Sequence, residues 1–479
     1  MAPFWQGMAQ HALILFNWLT IAYFFAGNGV YTLLMIISLA YAVVYNRRLS
    51  YHGLQELRES AATPPVTVII PARDEEDSIL GAVHSVLQAD YPDVRVVIID
   101  DGSQDATLQR LVGELHLSPM DLIYRNSLST RPVNAFYCNP DLPSLVVISK
   151  EHGGKADALN AGINVCRTPY FCTLDADCLL EPDAMLRLMR PVVRSPETMV
   201  VSGGIIRIRN GCNTARGRVQ DVRLPSSWVE RLQVVEYLRG FLFGRAGWDL
   251  LKGTLIVSGA MAMFDRQAVV EAGGFSKATV GEDMELVVRL YRWAEQQGRR
   301  VRISFTTDTV CWTECPSTFR MLGRQRRRWQ LGLCQTLWKN SGMLFNRKYG
   351  LAGLFSFPFH VFVEAVGAAV EFVGYLIVPL AFMLHLALSA LYIPLVILSL
   401  VYASFLSVGA VLLEELTYRR YPRRSDLYTL LGGALLENFG FRQMILYFRF
   451  QGCLQFLAGL HRWEKVRHTA DTPAESSAG

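Results

Sequence analysis

Charge is scarce in this chain. Asp, Glu, Lys and Arg make up 19% of it, against about 25% in ordinary soluble domains, while 51% is hydrophobic and the mean hydropathy is +0.21. That balance excludes a purely soluble, a purely disordered and a fibrous protein. The formal net charge of +5 is too small to argue for a nucleic-acid partner. Paired short cysteine spacings are missing as well. The nine cysteines, an odd count, are scattered without the pattern of a zinc ribbon and read as reduced thiols. Cys311 and Cys315 come nearest to a metal pair, and no second pair or nearby histidine completes a tetrahedral set. No G-x-G-x-x-G follows the first predicted strand, which argues against a Rossmann dinucleotide site. Gly153-Gly154-Lys155 lacks the spacing of a Walker loop.

What is present is a set of apolar runs with basic residues beside them. Residues 24–45 (FFAGNGVYTLLMIISLAYAVVY) carry no charge and are long enough to cross about 30 Å of hydrocarbon. The run is long, starts well inside the chain and lacks a small-residue cleavage site, so it reads as an anchor rather than a signal peptide. Arg47 and Arg48 follow at once and predict that the next region faces the cytoplasm. Residues 372–391 and 392–413 predict a membrane hairpin with an external turn at 392–394. The four arginines of 418–424 (YRRYPRR) again favour the cytoplasm. Segment 351–370 contains His360 and Glu364, and 427–448 contains Glu437, Asn438 and Arg442. Such groups are expensive in lipid, so these helices either face a bundle interior or lie in the interface. If 427–448 crossed alone, Arg462, Lys465 and Arg467 would lie outside, against the charge rule. The expected organisation is an anchor at 1–60, a water-soluble domain at 61–345, interface and membrane helices at 346–468, and a small, polar, disordered tail at 469–479.

Within 61–345 the periodicity is that of an α/β domain. Residues 66–71 (VTVIIP) and 94–99 (VRVVII) read as buried parallel strands, with a helical pattern over 76–88 between them. Strand, helix and strand recur at 145–149, 155–165 and 170–174, which predicts an open, mostly parallel sheet. Ligands of such sheets sit at the carboxyl ends of the strands. Asp100 and Asp101 end one strand, and Asp175 and Asp177 end another in a D-A-D sequence. Two strand-end carboxylates suit a hard divalent cation that keeps water and phosphate oxygens as its other ligands. A solvated turn with Asp183 capping the next helix accounts for the same residues.

These segments resemble a known family. Residues 68–76 (VIIPARDEE), Asp100-Asp101-Gly102-Ser103, residues 153–160 (GGKADALN), the D-A-D at Asp175, Gly281-Glu282-Asp283 and residues 325–329 (QRRRW) follow the order and spacing of membrane-integrated family 2 glycosyltransferases. That group includes the cellulose, chitin, hyaluronan and poly-N-acetylglucosamine synthases. The resemblance covers roughly residues 64–345. It implies a Rossmann-like GT-A domain in the cytoplasm, embedded between transmembrane helices of the cell membrane. The implied enzyme is an inverting hexosyl- or N-acetylhexosaminyltransferase that takes a nucleotide sugar, UDP-linked, and extends a β-linked polysaccharide. Transfer of one sugar to a lipid acceptor is the alternative within the same family. A non-catalytic scaffold would have shed the acids that this chain keeps.

The resemblance also assigns roles. Pro71, Glu75, Asp100 and Asp101 would line the nucleoside pocket, and Lys155 would reach toward the nucleotide. Glu75 and Glu76 would serve equally as first-turn acids on a helix dipole. Asp177 and Asp175 would hold Mg²⁺ or Mn²⁺ against the two phosphates. Glu282-Asp283 opens a predicted helix, and Asp283 matches the general base; helix capping is the structural alternative. Gln325, Arg328 and Trp329 share one helical face, where Gln325 and Trp329 would contact the acceptor sugar and Arg328 the diphosphate. Residues 315–363 contain eight Lys or Arg and no Asp or Glu. Arg324, Arg326 and Arg327 are therefore expected at the lipid surface. Residues 313–316 (TECP) stand in the place of a gating loop and receive no catalytic role, while Ser258-Gly259-Ala260 lies where the family brings small residues near the acceptor.

Overall fold

The computed structural model describes residues 2–46, 52–195, 197–383 and 389–459. Two units separate by their contacts. One comprises Met1–Arg48, Val234–Gly253 and Arg326–His461, and the other contains Leu49–Gln233 and Thr254–Gln325.

The second unit is built on twelve strands: β1 (Val66–Ala72), β2 (Val94–Asp100), β3 (Ser118–Met120), β4 (Val133–Cys138), β5 (Leu145–Lys150), β6 (Tyr170–Leu174), β7 (Leu179–Leu180), β8 (Thr198–Ile208), β9 (Asn213–Ala215), β10 (Arg218–Asp221), β11 (Met261–Asp265) and β12 (Val301–Thr313). Ten form one sheet in the order β3-β4-β5-β2-β1-β6-β11-β8-β12-β7, and β9 pairs with β10. The central run β5-β2-β1-β6 is parallel throughout, as is the long β8–β12 pair. β11 runs antiparallel between β6 and β8. This is the mostly parallel sheet that the repeated strand-helix-strand pattern predicts, in the Rossmann-like GT-A form that the resemblance implies.

Alternation decides which strands are buried. β1 and β2 are β-branched on both faces and are covered on both, the signature of parallel strands under helices. The helix Lys155–Val165 lies over them, with Ala158, Leu159 and Ile163 joining Ile69, Ile99 and Ile148 in one core. Phe171 stacks on Phe264 at 5.3 Å between ring centroids, which ties β6 to β11. Each such fully buried side chain contributes about 1.5–3 kcal/mol. The helix Glu282–Gln296 packs Leu286, Val287 and Leu290 into the same core. Asp183 stands before the helix Ala184–Arg194 without capping it; its carboxylate pairs instead with Arg187 at 2.6 Å.

Among its described residues the first unit holds three helices long and apolar enough to cross a membrane, with windows at Trp18–Ala42, Ala352–Ile377 and Ile397–Thr417. Several expectations are corrected here. The helix that contains residues 24–45 begins at Ala2, and its apolar window starts at Trp18. The predicted turn at 392–394 lies inside the helix Ser389–Thr417. Pro394 sits in its early part, and proline is tolerated in apolar spanning helices. The apolar window Ala352–Ile377 starts well before the predicted 372 and takes in His360 and Glu364, both of which are partnered. His360 Nδ1 lies 2.7 Å from the Ser356 carbonyl oxygen. Glu364 accepts from the Tyr31 hydroxyl and pairs with Arg449 at 2.9 Å. Segment 427–448 is two helices, Arg424–Leu436 and Phe441–Leu457. Glu437 at the break pairs with Arg239 and accepts from Ser407. Leu33, Ile36, Val401 and Phe405 stay more than half exposed, an outward apolar face suited to hydrocarbon. Arg47, Arg48, Arg462, Lys465, Arg467 and the tail from Thr469 lie outside the described residues.

Candidate active site

The acids and the lysine singled out in the second unit meet at strand ends. β6 stops at Leu174, and the next residue, Asp175, donates its backbone N–H to the Ala260 carbonyl at 3.1 Å. That bond draws the turn Ser258-Gly259-Ala260, which precedes β11, against the D-A-D segment. Lys155, the first residue of its helix, places Nζ 2.6 Å from Asp175 Oδ1, 3.8 Å from Glu282 Oε1 and 3.4 Å from the Gly259 carbonyl oxygen. Burial works against the Lys155 charge, but the carboxylates of Asp175, Glu282 and Asp283 outweigh it and push its pKa above the ordinary lysine value.

Asp283 is the second residue of the helix Glu282–Gln296, so it is not the N-cap; that position belongs to Gly281. Its Oδ1 accepts the Met284 N–H at 2.8 Å. A methyl group on Gly259 would come 2.7 Å from Asp283 Oδ2, a distance that only the bare glycine backbone allows. Gly259 therefore touches the base candidate on one side and the Lys155 ammonium on the other. Asp177 receives the Thr313 hydroxyl on Oδ2 and the Cys178 thiol on Oδ1, each at 3.2 Å.

The residues assigned to the nucleoside pocket lie at the ends of β1 and β2. Pro71 is half-buried in β1. Glu75 accepts from the Ser78 hydroxyl at 2.7 Å, and its N–H donates to Thr107 Oγ1 at 2.8 Å. Asp100 accepts the Ser103 N–H at 3.2 Å, and burial raises its pKa. Asp101 is buried among the donors of residues 150–154.

The division between units falls within the helix Phe319–Lys339, between Gln325 and Arg326. Arg328 and Trp329 thus belong to the first unit. Trp329 is 45% exposed and has the Arg326 guanidinium 4.2 Å above its ring. Arg326 itself is buried and paired with Glu236 at 2.6 Å, which corrects its expected place at the lipid surface. Glu236, on the helix Trp228–Arg239, neutralises it, and the Trp329 ring covers its face.

Two family models match the chain: "Glycosyl transferase family 2" over residues 67–127 and "Glycosyl transferase family group 2" over residues 170–406. Between them they take in more than half of it, including the D-A-D acids, Glu282, Asp283 and the Q-x-x-R-W helix. The chain is a family 2 glycosyltransferase. Its curated relatives include the poly-β-1,6-N-acetyl-D-glucosamine synthases of Staphylococcus aureus strain MSSA476, 27% identical over 267 residues, and of Staphylococcus epidermidis, 25% identical over 267 residues. Each match takes in 56% of this chain and 54% of the relative, so the chain spans about half the length of the curated relatives it matches. Among solved structures, a mannosyltransferase from Pyrobaculum calidifontis in complex with GDP-Man and Mn²⁺ aligns at TM-score 0.47 and 17% identity, over 91% of this chain and 99% of that one. Glucosyl-3-phosphoglycerate synthase from Mycobacterium tuberculosis aligns at TM-score 0.36 and 15% identity, over 60% and 84%.

Sequence reasoning passes over several groups that the structure shows to be partnered. Thr313 was set aside with its loop, although a hydroxyl next to the last residues of a long strand is well placed to orient a strand-end acid. Lys150 carried no motif signal. Arg326 was absorbed into a run of basic residues.

Proposed function

We propose that this enzyme transfers a sugar from a nucleoside diphosphate donor, UDP-linked, with inversion, and that it does so repeatedly to build a β-linked polysaccharide. The observation that carries the reading is the convergence of Asp175, Lys155, Glu282 and Asp283 around Gly259. It supports a division of labour in which charge for the leaving diphosphate and a base for the acceptor stand side by side. Similarity to the poly-β-1,6-N-acetyl-D-glucosamine synthases favours an N-acetylhexosamine as the sugar. The three apolar helices favour work at the cell membrane, and the arginines of 418–424 favour a multi-pass chain with the catalytic unit in the cytoplasm.

Asp283 accepts the proton of the acceptor hydroxyl, which must approach to about 3 Å. Gly259, with no side chain, lets the Asp283 carboxylate close against the Ser258-Gly259-Ala260 turn. Lys155 contributes positive charge near the phosphates, and Glu75, Asp100 and Pro71 border the nucleoside. Among the described residues no three His, Cys, Asp or Glu side chains gather as a closed metal site. Asp175 and Asp177 nonetheless offer two hard oxygen ligands, a fit for Mg²⁺ or Mn²⁺ whose remaining positions go to phosphate and water. When bound, such an ion offsets charge on the leaving diphosphate. Arg328, Gln325 and Trp329 supply the Q-x-x-R-W face, in which Trp329 offers an aromatic platform for a sugar ring.

The test is incubation of the protein in membranes with a panel of radiolabelled UDP-sugars, followed by sizing and linkage analysis. A ladder from one donor is expected, and it should vanish with a chelator. Asp283→Asn should keep binding the donor and lose transfer by at least about a hundredfold. A single glycolipid band would replace polymerisation by one-sugar transfer to lipid. Full turnover in excess chelator would remove the metal.

A further inference from the structure

We propose that Lys150 is a positioning residue of this reaction. Its buried ammonium clamps Asp101 and Asp157, and Asp101 in turn fixes the backbone of Gly153 and Gly154, so that Lys155 is delivered to Asp175 and Glu282.

Lys150 ends β5 and has no exposed side-chain surface, and Asp157 is equally buried. An ammonium has three hydrogens to donate. Those of Lys150 meet Asp101 Oδ1 at 2.7 Å, Asp157 Oδ1 at 2.8 Å and the Glu151 carbonyl at 2.5 Å. None remains for a substrate, so Lys150 acts through its neighbours.

Asp101 is held in the same way. Its Oδ1 accepts Lys150 and the Gly153 N–H at 2.9 Å, while Oδ2 accepts the Gly154 N–H at 2.8 Å and faces His152 Nδ1 at 2.8 Å. A carboxylate has about four lone-pair sites, and three of them take the Lys150, Gly153 and Gly154 N–H donors. Asp101 therefore serves as the fastening of the loop. Asp157 closes the other side. It accepts the Arg131 N–H, pairs with Lys277, and lies so near the loop that a methyl group on Gly153 would come 2.5 Å from its Cγ. The next residue after this fastened loop begins the helix that presents Lys155. An error of about 1 Å in a catalytic group costs on the order of a hundredfold in rate, which is what a rigid loop root prevents.

The inference rests on the proposed role of the Lys155 cluster, and the experiment separates the two. Amide hydrogen exchange of the segment 150–156 is measured in the full chain for wild type and Lys150→Met, together with transfer from radiolabelled UDP-N-acetylglucosamine and the other UDP-sugars of the panel. Exchange at Gly153 and Gly154 is expected to rise at least about tenfold in the variant while β1 and β6 are unchanged. kcat should fall at least about tenfold with donor KM altered less than about threefold, and adding Lys150→Met to Lys155→Met should cost no more than about twofold further. Unchanged exchange overturns the positioning role whatever happens to transfer. Multiplying losses in the double variant overturn the route through Lys155. If wild type uses no sugar of the panel, the proposed reaction fails and the exchange arm still decides this one. Should Lys150→Met not fold, Gly153→Ala attacks the same contact from the loop side and is expected to give the same local rise.

Discussion

Lys155 Nζ lies 2.6 Å from Asp175 Oδ1 and 3.8 Å from Glu282 Oε1. One acid comes from a strand end and the other from a helix start far along the chain, and only the ammonium between them lets two carboxylates share so small a space. With its pKa pushed upward by those acids, Lys155 stays charged throughout the range in which an enzyme works. On the proposed reading, a diphosphate that arrives beside Asp175 meets a cation already held in place.

Gly259→Ala tests how closely the base candidate is confined. The added methyl would stand 2.7 Å from Asp283 Oδ2 and 3.2 Å from its Cβ, so the carboxylate must turn aside. Transfer should fall about ten- to a hundredfold with little change in melting temperature. Wild-type turnover in this variant would show that Asp283 needs no such confinement.

Thr313→Val removes one of the donors that orient Asp177 and leaves the strand intact. Partners that hold a metal ligand typically account for about ten- to a hundredfold in metal affinity. The Mn²⁺ concentration for half-maximal binding, read by electron paramagnetic resonance of the free ion, should rise accordingly, while Thr313→Ser should stay near wild type. Equal affinities in all three proteins would detach Thr313 from the metal.

Trp329→Ala should harm elongation more than hydrolysis of the donor, since water needs no platform on which to stack. Arg326→Ala is expected to share the defect, because it removes the guanidinium 4.2 Å above the ring and strips Glu236 of its partner. Product ladders from the two variants should both be shorter than wild type. Normal ladders from Arg326→Ala would mean that the ring keeps its orientation unaided.

Asp157 gives a pH dependence. Burial alone would raise its pKa, but hydrogen bonds from Lys150, Lys277 and the Arg131 amide lower it below the ordinary carboxylate value. A depressed folded pKa contributes stability that is present above the unfolded pKa of about 3.9 and is lost as pH falls through the folded value. Acid titration of unfolding should therefore be steeper below about pH 4 in wild type than in Asp157→Asn. Parallel curves would count against the network.

The parallel half of the catalytic unit is legible in the sequence because burial on both faces forces continuous apolar runs: β1, β2, β5, β6 and the helix Lys155–Val165 lie where their residues predict. β7 and the β9–β10 pair are too short for any periodicity to mark. Asp175, Asp177, Glu282 and Asp283 were found through motifs, and motifs record spacing without direction. That Lys155 faces Asp175, or that Gly259 backs onto Asp283, depends on how β6 and β11 pair. Lys150 was invisible for a related reason. A lysine at a strand end normally reaches water, and only acids 49 and 7 positions away, brought near by the sheet and its crossover helix, make burial tolerable here. In the membrane segments, polarity misled the boundaries because the partners of Glu364 and Glu437 lie on other helices.

Glu364 sits midway along its apolar window, and Arg449 follows it by 85 positions. A ribosome delivers the acid well before the base. Until the helix Phe441–Leu457 emerges, Tyr31 is the partner already made, and an uncompensated charge at mid-depth of a membrane costs about 3 kcal/mol by insertion scales. The ion pair therefore depends on the helix Phe441–Leu457: a chain that contains it neutralises Glu364, and one broken off after residue 440 leaves the acid with the Tyr31 hydroxyl alone. Such fragments should be cleared faster by membrane proteases, and Glu364→Gln in the same fragment should lengthen its life, an outcome that pulse-chase labelling would read directly.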